Sequence, residues 1–314
     1  MSAPHEPNPQ AKQIVVVSGK GGSGKTFLSS ALAAVMERTV YADCDVDAAN
    51  LHLMLHPENV TCEPFVSGAT AVVDPERCTR CRACEHACRF HAIHVPVPVP
   101  GASVTSPAVV DPVACEGCGV CELVCPANAI TLEPAERGRW CSGTTSAGPL
   151  VHAHLDPGEE NSGKLVDRVR RKAAATAAAS GADWILIDGP PGTGCATRSA
   201  MTGTDYVVIV AEPGVSGVHD MLRVAELAGH FRIPTGLVIN KETVSPEQSS
   251  RLRDIAADQG MRILGEIPFS RSIPEALTNL VPYPLWADDE ITAAVRDIRA
   301  RMQRELTPVS EPAG

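Results

Sequence analysis

The sequence predicts an α/β protein: a doubly wound, mainly parallel sheet with a small second module inserted into it. Three observations predict this. Ile14-Val15-Val16-Val17 runs straight into the glycine-rich loop Gly19-Lys20-Gly21-Gly22-Ser23-Gly24-Lys25-Thr26, the pattern of a buried parallel strand feeding a helix. Apolar strand-like runs then alternate with helical stretches through the C-terminal half, as a doubly wound sheet requires. Between these parts, eight of the twelve cysteines fall into two copies of one spacing.

Taken in order, residues 14–17 form the first strand and residues 24–36 the first helix. Val40-Tyr41-Ala42 is the next strand and carries Asp43-Cys44-Asp45 at its C-terminal end. The insertion begins near Thr61. Within it, residues 72–93 and 109–130 align without gaps at an offset of 37, with 11 of 22 positions identical, including Val-Val-Asp-Pro ahead of each first cysteine. This internal repeat predicts a pseudo-symmetric module of two units. The proline- and valine-rich stretch 95–112 reads as an extended connector. Residues 140–155 return the chain to the main domain, and the alanine-rich segment 163–180 is helical. Strands follow at 184–187, 206–211, 236–239 and 262–265, with helices at 217–231, 246–259 and 290–306. The predicted organisation is a loose tail at 1–10, a main domain at 11–61 and 142–314, and an inserted domain at 62–141 with its core at 72–132.

A loop ending in Gly-Lys-Thr between a strand and a helix turns its backbone N–H groups toward phosphate oxygens, which side chains would block. Gly21, Gly22, Ser23 and Gly24 form that cradle. Lys25 reaches the β- and γ-phosphates and the Thr26 hydroxyl ligates Mg²⁺. Asp188 ends the apolar run Trp184-Ile185-Leu186-Ile187. With Asp43 and Asp45 it puts three acids at the ligand-binding edge of one sheet, which favours a metal–phosphate site. In the insertion, Cys78-x2-Cys81-x2-Cys84-x3-Cys88 and Cys115-x2-Cys118-x2-Cys121-x3-Cys125 wrap soft thiolates around compact loops, which suits cubane iron–sulfur clusters. Structural zinc is the competing reading, and the paired repeat disfavours it.

Bulk composition narrows the function classes. The formal charge of −10 repels nucleic acid and anionic membrane at long range. The aromatic content of 4% leaves little with which to stack bases. No stretch is long and apolar enough to span a membrane. Twelve cysteines without an export signal predict a reducing cytoplasm and metal ligation rather than disulfides.

The loop's second lysine, Lys20, resembles that of the deviant Walker A ATPases, the MinD, ParA and Mrp group to which the nitrogenase iron protein is related. The resemblance implies that Lys20 reaches across a homodimer interface to the partner's nucleotide, through the nucleotide face. It implies that Asp45 orients the attacking water, that Asp43 binds Mg²⁺ through water and that Asp188, in Asp-Gly-Pro-Pro-Gly, is the switch II acid. It places Asn240 and Pro268 near adenine. The cysteine module is similar to bacterial two-cluster ferredoxins, an arrangement in which the fourth cysteine of each run serves the other cluster. This implies one [4Fe-4S] cluster on Cys78, Cys81, Cys84 and Cys125 and a second on Cys115, Cys118, Cys121 and Cys88. Pro126 fits the usual proline after the fourth cysteine, and Arg89 departs from it. Nearly the whole chain thus resembles the MinD-like P-loop ATPases that carry an inserted ferredoxin domain, and residues 148–152 and 158–166 also look like that subgroup.

Four cysteines remain. Cys44 reads as a buried inert thiol. Cys62 and Cys141 bracket the insertion and can lie close in space, but in a reducing compartment they are expected to stay free rather than form a disulfide. Cys195, after the switch II loop, is a candidate ligand for something shared with a dimer partner. His152 and His154 alternate along a strand and are expected to share a face. The last helix carries an apolar stripe at Ile291, Val295, Ile298, Met302 and Leu306 that is expected to dock on the core.

The main functional expectation is an ATP-hydrolysing iron–sulfur protein that couples Mg-ATP to electron transfer toward a redox partner. The alternative is ATP-dependent assembly or carriage of a cluster or metallocofactor toward an acceptor protein. Spatial positioning in the MinD manner is a third reading, which the charge and the last helix disfavour.

Overall fold

The computed structural model describes residues 11–97, 106–159 and 162–306. The predicted tail at 1–10, part of the connector, residues 160 and 161 of the subgroup motif, and the polar C-terminus lie outside the described residues. Along the chain the elements are β1 (Lys12–Ser18), α1 (Lys25–Ala33), β2 (Thr39–Asp43), α2 (Leu51–Leu55), β3 (Glu58–Val73), α3 (Ala83–Ala87), β4 (Ile93–His94), β5 (Val109–Val110), α4 (Val120–Leu123), β6 (Ile130–Thr144) and β7 (Pro149–Leu155). There follow α5 (Ser162–Ser180), β8 (Trp184–Pro191), α6 (Cys195–Met201), β9 (Tyr206–Ala211), α7 (Val215–His230), β10 (Thr235–Asn240), α8 (Pro246–Asp258), β11 (Arg262–Ile267), α9 (Ser272–Thr278), α10 (Tyr283–Trp286) and α11 (Glu290–Leu306).

The chain divides into two compact units. Among the described residues, the first comprises 11–63, 139–155 and 162–306, and the second 64–97, 106–138 and 156–159. The first unit is built on a sheet with strand order β11-β10-β9-β1-β8-β2-β7-β6-β3, to which β3 and β6 contribute their 58–63 and 139–144 ends. From β11 to β7 the pairings are parallel. A strand covered on both faces has no use for a polar side, so β1, β8 and β9 read as unbroken apolar runs. Ile14, Val16, Leu186, Tyr206 and Val208 are fully or almost fully buried in one core beneath α1 and α11. That core also takes Ile291, Val295, Ile298 and Met302, so the apolar stripe of the last helix is spent on the protein's own interior.

The return from the insertion is a β-hairpin: β6 turns at Ser146-Ala147 into β7, closed by reciprocal Thr145–Gly148 backbone hydrogen bonds. Cys62 and Cys141 correct the sequence expectation. They are joined as a disulfide with Cα atoms 4.1 Å apart. The physical reason is register: Thr61 bonds Ser142 and Cys62 meets Cys141, so β3 and β6 run antiparallel with the two thiols directly opposed. The two histidines alternate along β7 as expected and differ in burial. His152 is buried and His154 exposed. His152 stacks on His52 of α2 with ring centroids 4.7 Å apart, and burial pushes its pKa down to about 4, aided by His52.

The second unit repeats itself down to its hydrogen bonds. Asp74 Oδ1 accepts from the Glu76 and Arg77 backbones, and Asp111 Oδ1 from those of Val113 and Ala114. The Asp74 N–H donates to Ala129, and the Asp111 N–H to Ala92. Arg137 is buried across one flank. Its guanidinium donates to Glu159 at 2.6 Å, to Thr70, and to the carbonyls of Ala69, Pro112 and Cys115, so the buried charge is paired and its donors are used.

Leu186→Ala, in the middle of the sheet, should cost about 3 kcal/mol of unfolding free energy through the cavity it leaves. Urea denaturation would show a lowered midpoint at unchanged slope.

Candidate functional site

The order β9-β1-β8-β2 brings the C-terminal ends of three chain-distant segments side by side. β1 ends in the glycine loop, β8 carries Asp188 and β2 carries Asp43. In the parallel register Val16 and Asp43 both pair with Asp188. Chain reversal into α1 is set by Gly22 and Gly24, both at positive φ. A Cβ on Gly24 would collide with the Asn240 side-chain amide, so only glycine fits there.

Asp188 sits behind the loop. Its two oxygens accept hydrogen bonds from Thr26 Oγ1 and Ser29 Oγ, each at 2.8 Å. Asp43 accepts from the backbones of Leu51 at 2.9 Å and Asp45 at 3.1 Å. Both acids are buried. Burial raises the Asp43 pKa well above the usual carboxylate range, and the neighbouring Asp188 charge raises it further. Asp188 is raised by burial too, against the opposing pull of Ser29, Thr26 and Lys25. Two carboxylates confined together in a dry site cannot both ionise without a proton or a cation, which is the electrostatic setting that a divalent metal relieves. Asp45 lies forward of them, its pKa pushed up to about 6 by burial against the pull of Lys25.

A cavity of about 780 Å³ opens over these groups, lined among others by Gly21, Gly22, Lys25, Thr26, Asp45 and Cys195. Lys25 is buried in its floor. Its size suits a nucleotide. Next to it a smaller cavity of about 180 Å³ has Asn240, Lys241, Phe269 and Pro274 in its wall. Asn240 donates from Nδ2 to the Ser23 carbonyl at 2.9 Å, so it braces the loop, while Pro268 is outside the lining of both cavities. Lys20 does not project freely. Its ammonium pairs with Glu212 at 2.6 Å and bonds Ser216 at 3.1 Å. Lys241 takes the other Glu212 oxygen at 2.9 Å. Glu212 and Ser29 are site residues that the sequence reading missed. Glu212, directly after the buried strand β9, carried the same strand-end signal as Asp188.

In the second unit the cysteines gather in two small cavities. Cys78, Cys81, Cys84 and Cys125 line one, and Cys88, Cys115, Cys118 and Cys121 line the other. The Sγ of Cys88 accepts from the Ala92 N–H and that of Cys125 from the Ala129 N–H, both at 3.3 Å. Among the described residues, no three His, Cys, Asp or Glu side chains stand as a ready ligand set for a single metal ion.

A strand–glycine-loop–helix over a metal-ready acid pair defines a P-loop nucleotide-binding protein. The chain belongs to the CobQ/CobB/MinD/ParA nucleotide binding domain family, which it matches over residues 14–282. It is 32% identical to an uncharacterized protein of Methanocaldococcus jannaschii, over 86% of this chain and 88% of the relative. A second protein of that organism is 24% identical over 74% of this chain and 81% of the relative. Among solved structures, the septum site-determining protein MinD of Pyrococcus horikoshii, complexed with Mg-ADP, is similar at TM-score 0.56 and 18% identity, covering 94% of this chain and 97% of that one. The Cyanothece McdA–ATP complex is similar at 0.54 and 14%, covering 97% and 100%. Among the described residues no helix is long and apolar enough to cross a membrane.

Asp45→Asn should stabilise the nucleotide-free protein at pH 7, where the native carboxylate is charged in a site that disfavours charge. The folded pKa of about 6 lies above the unfolded value near 3.9. The wild type therefore gains stability as pH falls through that window. The advantage of the variant should shrink between pH 6 and pH 4. Paired urea titrations across pH measure it.

Proposed function

We propose that the chain is an ATPase whose nucleotide state gates electron transfer through two [4Fe-4S] clusters to a partner protein. The observation that carries this reading is the sorting of the eight repeat cysteines into two sets of four, each around its own cavity. The fourth member of each set comes from the other repeat. Bound there, the clusters would supply one-electron transfer. Cys88 and Cys125 hold their sulfurs toward backbone N–H donors, which orients them as ligands. The repeat core packs Ala71, Ile93, Val95 and Ile130 against the cysteines and excludes water from their inner side.

At the nucleotide, the loop N–H groups and Lys25 neutralise the phosphates. Thr26 and Asp188 share a proton-bearing hydrogen bond that a bound Mg²⁺ would replace by taking the hydroxyl oxygen. Asp45, at the rim of the large cavity, holds the attacking water. Lys20 is stored on Glu212 of its own chain and is available to a facing protomer when ATP closes a homodimer. Coupling follows from chain order: the inserted module leaves the first unit after β2, which carries Asp43, and returns before β8, which carries Asp188. Both nucleotide-sensing strands thus flank the redox module in sequence.

A second reading, ATP-dependent carriage of a cluster or metal, is favoured by one observation. Cys195 is exposed and lines the nucleotide cavity. It requires a labile metal group beyond the two in the repeat.

Anaerobically purified protein should contain about eight iron and eight sulfide per chain, and Cys84→Ser about half of that. Iron near zero sinks the redox reading, and transfer of iron to an apo-acceptor favours the carrier. Lys25→Ala should lower ATP hydrolysis by at least ~10²-fold with iron content unchanged. If electron delivery from reduced clusters to an acceptor proceeds equally in wild type and Lys25→Ala with Mg-ATP, the gating idea fails.

A further inference from the structure

The two halves of the second unit share one backbone and differ sharply in surface chemistry. Arg80 and Arg82 take positive φ of 56° and 64°, and their repeat counterparts Gly117 and Gly119 take 63° and 78°. Glycine is the residue that this conformation favours, and a bulky side chain there is uncommon. The first half nonetheless has arginine at both positions. The difference extends along the repeat. Residues 72–93 contain four arginines against three carboxylates, and residues 109–130 contain no arginine or lysine against three carboxylates. Arg77 and Arg89 face Ala114 and Pro126 in the alignment.

Two of these arginines sit beside the first cysteine cavity. Arg80 and Arg82 line the same small cavity as Cys78, Cys81, Cys84 and Cys125. Cys81, between them, is exposed, and so are all four arginines. Arg82 is held in place by Glu85 at 2.6 Å, and Arg89 lies over the Phe90 ring at 5.5 Å. The chain as a whole carries −10, so exposed guanidiniums beside this cavity contrast with an acidic background and would orient an acidic visitor.

We propose that the basic edge around Cys81 is the docking surface for an acidic protein, the redox partner of the first cluster. The proposal rests on the reading that the adjacent cavity holds a redox cluster. A protein partner fits better than nucleic acid because the edge is short and the cavity beside it has no Phe, Tyr or Trp in its lining, where strand-binding grooves set several aromatic rings beside their charges. Electron-transfer encounters are characteristically small and weak, so charge placed at the exposed cysteine serves orientation and on-rate.

The test replaces the first-half residues by their own repeat counterparts. In Arg80→Gly/Arg82→Gly the backbone conformation is one that glycine favours, so folding and iron content should hold. Binding of an acidic flavodoxin to the anaerobic full-length protein would be measured by titration calorimetry at 20 and 200 mM NaCl. The same flavodoxin with its carboxylates amidated, a 20-base-pair DNA and phosphatidylserine vesicles serve as comparison probes. The expected result is wild-type binding that weakens about tenfold over that salt range, as screening requires, and falls about tenfold in the variant at low salt. Binding should also be lost with the amidated probe. Flavodoxin binding that does not depend on the arginines overturns the proposal. So does arginine-dependent binding of the DNA, the vesicles or a second copy of the chain. Because binding is read without electron transfer, a chain that binds as expected but lacks iron refutes the cluster reading and leaves the docking result standing on its own. A chain with full iron and no arginine-dependent binding refutes the docking surface alone.

Discussion

Two buried carboxylates on neighbouring strands set the character of this protein. Asp43 and Asp188 stand opposite each other in the β2–β8 register, both away from solvent, and burial raises both pKa values. Such a pair is unfavourable without compensation. The site compensates through the Thr26 and Ser29 hydroxyls on one acid and two backbone N–H groups on the other. The remaining deficit is a demand for positive charge at the place where the glycine loop presents phosphate-binding N–H groups. Metal, nucleotide and fold are thereby linked: the parallel sheet exists to bring those strand ends together, and the apolar runs of β1, β8 and β9 exist to bury that sheet.

The second unit works by a different economy. It has a small core in which the cysteines themselves are part of the packing. Its backbone is used twice, with the same aspartate turns and the same positive-φ positions. Duplication of that kind fixes the fold through shared local constraints and leaves the solvent-facing positions independent. One half keeps glycine where the chain needs it. Gly117 has no room for a side chain, because a Cβ would meet the Ala69 backbone. The other half accepts a less favourable backbone and displays arginine at the same two positions.

The sequence by itself determined the α/β class, the strand–loop–helix at residues 14–33, the acid that ends β2 and the acid in β8, and the duplication of the cysteine run. These are legible because they are local: hydrophobic period, glycine chemistry and ligand spacing act over a few residues. Tyr206–Ala211 and Glu290–Leu306 matched their predicted bounds, while α1 is shorter than predicted, ending at Ala33. What only the tertiary structure decided is who meets whom. Register placed Cys62 against Cys141 and so made a pair where free thiols were expected. Packing of α2 on β7 turned His152 inward onto His52 while His154 stayed in water. The cis partner of Lys20, Glu212, lies 192 residues away, and Asn240 braces a loop 217 residues distant. Such contacts have no periodic or motif signature, because the energy that selects them comes from closing the sheet and burying its edges rather than from any stretch of chain alone.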